Sequence, residues 1–225
     1  MTKLSVPDFR HFRATIDHVL AARDKHLFKL LYLLAARDNE ICTKVTTADK
    51  TTRPFGKHLS WTFAKFQTPK DTLLVKVPIL KRKNTKPDKP KFRFVALPIS
   101  PSIEPWTADI LKWMVKNGTE LGLPTTRQRV YQLLRENLYP AFGIEPNPKE
   151  HSKNILRHFR INHLLSEYDF DLMDLVSYSG WSIKTGGATM GFPTGQLDIY
   201  LHLKWKRYAA KLFRPLGEVL GSFLA

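Results

Sequence analysis

HLSWTFAKF (58–66), TLLVKVPIL (72–80) and KFRFVALP (91–98) interrupt a chain that otherwise reads as helix. Apolar and polar residues alternate in each, the period of a half-buried strand. KRKNTKPDKP lies between the second and third; its basic, proline-containing composition suits a long hairpin tip. Three strands so connected predict a small antiparallel sheet on one side of the helices.

Helical spacing frames this sheet on both sides. Ser5-Val6-Pro7-Asp8 reads as a helix start, with a serine cap, an early proline and a carboxylate near the positive end of the dipole. Phe9, Phe12, Ile16, Val19 and Leu20 then repeat on one face, and Leu27, Leu30, Leu31, Leu33 and Leu34 form a broad apolar surface that predicts core. After the sheet, helices are expected over 107–116, ending at Gly118, and after Pro124 through Val130, Leu133, Leu134 and Leu138. Others are expected over 149–166, 171–177 and 196–213, where Pro215 intervenes before an apolar tail. The expected class is α+β, mainly α with a small antiparallel β-sheet, in one domain over 1–212 with a tail over 213–225.

Thirty-six Lys and Arg against 20 Asp and Glu give the 225-residue chain a formal charge of +16. Such an excess is the footprint of a polyanion binder. Nucleic acid is the first candidate; a ribosomal-type RNA binder and a membrane-surface protein are the blander ones. Cys42 is the sole cysteine, which excludes an intrachain disulfide and a cysteine-based metal cluster and suits a reducing compartment. The apolar run near residues 27–36 carries Lys29 and is too short to span a bilayer, and Met1 opens no signal-peptide pattern. A cytoplasmic, nucleoid-associated protein without a membrane partner is expected. No metal-ligand spacing and no Gly-rich nucleotide loop is present, so neither metal nor cofactor is expected.

Five separated pieces carry chemistry. LLAARDNEI holds Arg37 with Glu40 three residues later, and the hairpin holds Lys81 and Lys83. NILRHFRINHLL holds Arg157; SYSGWS holds Trp181 and LDIYLHL holds Tyr200. Two guanidinium forks, a ring N–H donor and a phenol are what breaking a DNA strand without a metal requires. Three of them have a bland reading: Arg37 could pair with Asp38 or Glu40, Trp181 could be core, and hairpin lysines are usually solvated charge. Tyr208 is a rival phenol, but KWKRYAAKL places it inside a helix.

This order and these local contexts resemble the catalytic domain of the tyrosine recombinases, or phage integrases, and most of all their archaeal and archaeal-virus branch. The resemblance covers nearly the whole chain and implies the DNA breaking-rejoining fold. It implies that Arg37 and Arg157 clasp the scissile phosphate, with Trp181 as ring donor and Tyr200 as nucleophile. Bidentate guanidinium forks match the non-bridging oxygens, as a lysine cannot; one such donor is typically worth about 3–4 kcal/mol in the transition state. Tyr200 Oη would bond to phosphorus as the 5′-oxygen leaves, giving a 3′-phosphotyrosyl link that a second DNA end can reverse. Lys83 is the expected general acid for the leaving oxygen, with Lys81 as the alternative.

Two departures stand out. The family usually has a histidine three residues before the second arginine; here it is Asn154, which can bond a phosphate oxygen but cannot move a proton near neutrality. His151 or His158 could substitute. The stretch from Trp181 to Tyr200, with IKTGGATMGFPTG, is longer than the family's common spacing and Gly-rich, as suits a mobile loop delivering Tyr200 to its own or a neighbour's phosphate. His163 reads as packing or a DNA-facing polar group. The catalytic-domain pattern begins almost at Met1, so the family's N-terminal core-binding domain is not expected within this sequence, as suits either an excised domain or a minimal protein. The expected function is a site-specific recombinase or integrase working as a homotetramer on double-stranded DNA, its tail 213–225 contacting either a neighbouring protomer or its own domain. The alternatives are a type IB topoisomerase-like nicking-closing enzyme and a non-catalytic DNA-binding relative.

Overall fold

The computed structural model describes residues 6–19, 21–42, 60–65, 71–79, 92–117, 125–145, 154–180 and 205–221. Within them the chain is mainly helical with one three-stranded antiparallel sheet, as its periodicity predicts.

Helix α1 (Phe9–Val19) is capped by Asp8, whose carboxylate accepts from the Arg10 and His11 amides at 2.9 and 3.0 Å. The cap was expected at Ser5, which lies outside the described residues; Asp8 takes the role because its short carboxylate reaches the unpaired first-turn N–H groups. Helix α2 (Ala22–Leu33) is the central rod. Leu27, Phe28, Leu30, Leu31, Tyr32 and Leu33 are all buried, so its second half is enclosed on every side, as an apolar helix in the middle of a core must be. It packs against α1, α4 (Pro105–Asn117) and α7 (Ile155–Glu167).

α2 ends in a Schellman motif. Ala36 N–H donates to Leu31 O at 2.9 Å and Ala35 N–H to Tyr32 O at 2.8 Å, with Ala35 at φ +42°. Glycine usually holds that position; alanine here gives the sequence no stop signal. The chain then turns into the single-turn α3 (Asp38–Ile41).

The sheet runs β1 (Ser60–Lys65), β2 (Asp71–Pro78), β3 (Phe92–Pro98), in that spatial order. Leu73 pairs with Leu97, Val75 with Val95 and Val77 with Arg93, so these six side chains share one face. Every one of them is buried, Arg93 included. The free edge of β3 is covered by α9 (Trp205–Leu212): the Tyr208 hydroxyl donates to Phe94 O at 3.0 Å and lies 3.4 Å from the Ala96 amide.

The helix expected after Pro124 is not regular. α5 (Arg127–Leu133) passes through a π turn (Leu134–Leu138) into the short α6 (Tyr139–Ala141). Pro140 has no N–H to continue the α pattern, and Tyr139 N–H reaches back five residues to Leu134 O. α8 (Leu172–Ser179) and α10 (Leu216–Gly221) complete the described elements. Val219 is buried in the chain's own core, and Leu216 N–H donates to Ser102 O at 3.2 Å. The helices expected over 149–166 and 196–213 are described from Ile155 and from Trp205; their earlier parts lie outside the described residues. Among the described residues no helix is long and apolar enough to cross a membrane.

Candidate active site

Two helix ends meet beside the inner face of β3. The last carbonyls of any helix lack intrahelical partners and carry the negative end of its dipole. At the ends of α2 and α8 these carbonyls are taken by two buried arginines. Arg93 donates through Nη2 to Leu34 O at 2.7 Å and through Nη1 to Tyr178 O at 2.6 Å. Arg157 takes the next carbonyl on each helix: Nη1 to Ala35 O at 2.7 Å and Nη2 to Ser179 O at 2.8 Å. Arg93 Nη2 is also 3.4 Å from Ala35 O, so the two guanidiniums converge on one carbonyl.

Arg37 joins them through Glu40. It caps α3 with extended backbone, its amide donating to Glu40 Oε2 at 3.0 Å and its Nη1 to Glu40 Oε1 at 3.1 Å. Arg93 Nη2 lies 3.6 Å from Glu40 Oε2. Asp38, the other acid beside Arg37, pairs with Arg127 at 3.0 Å. The Glu40 side chain is almost wholly buried, while that of Arg37 keeps about a quarter of its surface open. Arg37 and Arg93 thus face one carboxylate, Arg157 joins them through the shared Ala35 carbonyl, and Arg37 is the outlet of the three to solvent.

The electrostatics follow from that count. Burial first, then the neighbouring charges of Arg93 and Arg37, pull the Arg157 pKa down to about 9, against the pull of Glu40. Burial also lowers that of Arg93, again opposed by Glu40. Positive charge concentrated around one carboxylate favours an oxyanion, since an added negative group offsets the repulsion among the guanidiniums.

Gly180 fixes the approach of α8. It sits at φ +68° as the helix cap, and a Cβ there would come within 2.6 Å of Arg93 Cδ. Only glycine satisfies both the left-handed backbone and this contact. Tyr178 anchors the same end from below, its hydroxyl donating to Leu33 O and accepting from Arg160 Nε at 3.3 Å. Arg160 is itself boxed by the rings of Tyr32, Tyr168 and Tyr178 at 5.1, 5.3 and 5.6 Å.

Of the residues singled out from sequence, Arg37 and Arg157 come together. Asn154 is the residue immediately before α7, one turn from Arg157. Lys81, Lys83, His151, Trp181 and Tyr200, with the loop between Trp181 and Tyr200, lie outside the described residues. Tyr208 is fully buried against β3, which leaves it no access to a duplex. His158 is exposed on α7. His163 faces the core: Nε2 bonds Pro7 O at 2.8 Å and Nδ1 bonds the Tyr32 hydroxyl at 2.9 Å. A carbonyl can only accept, so Nε2 carries the proton and Nδ1 accepts from Tyr32. Packing, rather than a DNA-facing role, is its environment.

Arg93 was not among the expected site residues. Its signal was present: in FRFVALP it shares parity with Val95 and Leu97, so strand alternation puts it on the apolar face. An arginine in that register must find buried acceptors. Among the described residues, no group of three His, Cys, Asp or Glu is placed to hold a metal ion. No family model, curated protein or solved structure matches the chain.

Proposed function

We propose that the protein is a site-specific DNA recombinase or integrase of the tyrosine type, cutting and rejoining strands through a 3′-phosphotyrosyl intermediate. The observation that supports this best is the convergence of Arg37 and Arg157, distant in sequence, on a cluster joined through Glu40 and Ala35. In the proposed reaction the phosphate sits against these arginines, and Tyr200 Oη, its phenolic proton passing to water, forms the new P–O bond as the P–O5′ bond breaks. Lys83, or Lys81, delivers a proton to the leaving oxygen. Double-stranded DNA is the partner, with four protomers assembling on two duplexes, and the charge of +16 supplies the attraction.

The test is covalent trapping on a pool of nicked duplexes of random sequence, so that no target site need be known. Wild type should form an adduct that survives denaturing electrophoresis, and Tyr200→Phe should form none. An adduct persisting in Tyr200→Phe would remove the assignment of the nucleophile; none from wild type would remove the reaction.

A second reading has a specific observation behind it. Both terminal nitrogens of Arg157 donate to backbone carbonyls, as in an arginine that staples helix ends, and Asn154 stands where a proton-carrying histidine would serve catalysis. A DNA-binding relative that keeps the fold without turnover fits these facts. Duplex binding by wild type, unchanged in Tyr200→Phe and unaccompanied by nicking, would favour it.

A further inference from the structure

We infer that Arg93 is a positioning residue of the anion site, holding Arg157 and Arg37 in place without touching the substrate. The inference rests on the reading of the arginine cluster as a phosphate site. Arg93 lies on the inward face of β3, and its Nη2 is spent on Leu34 O and Ala35 O with Glu40 3.6 Å away, so its fork serves the protein rather than a duplex. Its fork nevertheless contacts what places the other two arginines. It binds the carbonyls of Leu34 and Tyr178, each one residue before a carbonyl held by Arg157. It shares Ala35 O with Arg157, and it stands 3.6 Å from the carboxylate that orients Arg37.

No lysine can substitute, because bridging two helix ends and a carboxylate takes several N–H groups in one rigid plane. Gly180 belongs to the same device. The absence of a Cβ there lets the Arg93 stem pass within the distance at which a methyl group would collide. The end of α8 and the arginine cluster are therefore set by one contact: displacing Arg93 moves the Ser179 carbonyl, and Arg157 with it. Misplacement of about 1 Å at a reacting centre costs on the order of 100-fold in rate.

The experiment compares Arg93→Lys and Gly180→Ala with wild type in the full chain, after circular dichroism has established the folded fraction. The single-turnover rate of adduct formation on saturating nicked duplex, per folded molecule, should fall roughly 10- to 100-fold in both. Duplex affinity should stay within about twofold, since exposed phosphate contacts are untouched. A merely structural arginine would lower the melting temperature and leave the rate per folded molecule at the wild-type level, which would overturn the inference.

A second measurement needs no chemistry and so separates this inference from the proposed reaction. Sulfate at low millimolar concentration, where its general stabilising effect is small, and at constant ionic strength against chloride, should raise the wild-type melting temperature. That increment should vanish in Arg37→Ala and shrink by at least half in Arg93→Lys. An undiminished increment in Arg93→Lys overturns the inference even if wild type never cuts DNA. No sulfate response in wild type overturns both the inference and the anion site on which it rests.

Discussion

At the scale of single residues, the site is built from places where one side chain satisfies what the backbone leaves open. Ala35 is the clearest case. Its positive φ is strained for an L-residue by about 1–2 kcal/mol, yet the Schellman turn it closes aims Leu34 O and Ala35 O at the arginines. Ala35→Gly would relieve that strain, lose a buried methyl worth roughly 0.8 kcal/mol and add about 0.5–1 kcal/mol of backbone entropy. These nearly cancel, so the variant should unfold within about 0.5 kcal/mol of wild type. The same change at its buried neighbour Ala36, which has no positive φ to relieve, should cost about 1–2 kcal/mol. Urea midpoints for the two variants check the contrast; equal losses would mean that Ala35 stores no strain.

At the scale of elements, α8 connects stability to the site. Its N-terminus is a capping box: Asp171 Oδ1 accepts from the Met173 and Asp174 amides at 2.8 and 2.9 Å, and Asp174 returns a bond to the Asp171 amide at 3.2 Å. Asp174 also holds Lys211 of α9 at 2.6 Å, tying two elements that flank β3. Asp171→Ala should cost about 1 kcal/mol in urea denaturation with an unchanged m-value. It should also speed amide exchange at Gly180, whose N–H bonds Val176 O at 3.0 Å; unchanged exchange would detach the cap from the site end of the helix. Elements of this kind were legible in the sequence because periodicity is a many-residue signal. The strands were expected over 58–66, 72–80 and 91–98 and are found at Ser60–Lys65, Asp71–Pro78 and Phe92–Pro98. What escaped reading hangs on single atoms. The π turn follows from the missing N–H of Pro140, and the end of α2 from an alanine doing a glycine's work. Arg93 hid among hairpin charges because a cation two residues from a basic run looks solvated until its register is counted. Arg37 and Arg157 were readable because each sits in a recognisable local context, whereas their partnership through Glu40 and Ala35 exists only in three dimensions.

At the scale of the whole molecule, His163 makes the fold sensitive to acid. Its ring joins the lead-in to α1, through Pro7, to Tyr32 on α2, and it is carried by α7 itself. Burial, with Arg160 and Arg13 nearby, lowers its pKa to about 4 from an ordinary 6.5, although the Pro7 carbonyl pulls the other way. The folded state therefore holds the neutral ring, while the unfolded chain accepts a proton below about pH 6.5. This contribution is complete above that pH and is lost as pH falls through the window from 6.5 to 4, amounting to roughly 3 kcal/mol at its end. Carboxylates titrate in the lower part of the same window, so the decisive quantity is a difference between proteins. His163→Gln keeps a donor for Pro7 and an acceptor for Tyr32 without an ionisable nitrogen. Urea unfolding at pH 7 and pH 5 should show wild type losing about 2 kcal/mol more than His163→Gln between the two. The steepest separation should lie between pH 6.5 and 5, above the range where most carboxylates act. Equal losses in the two proteins would place the proton uptake elsewhere and leave His163 as packing alone.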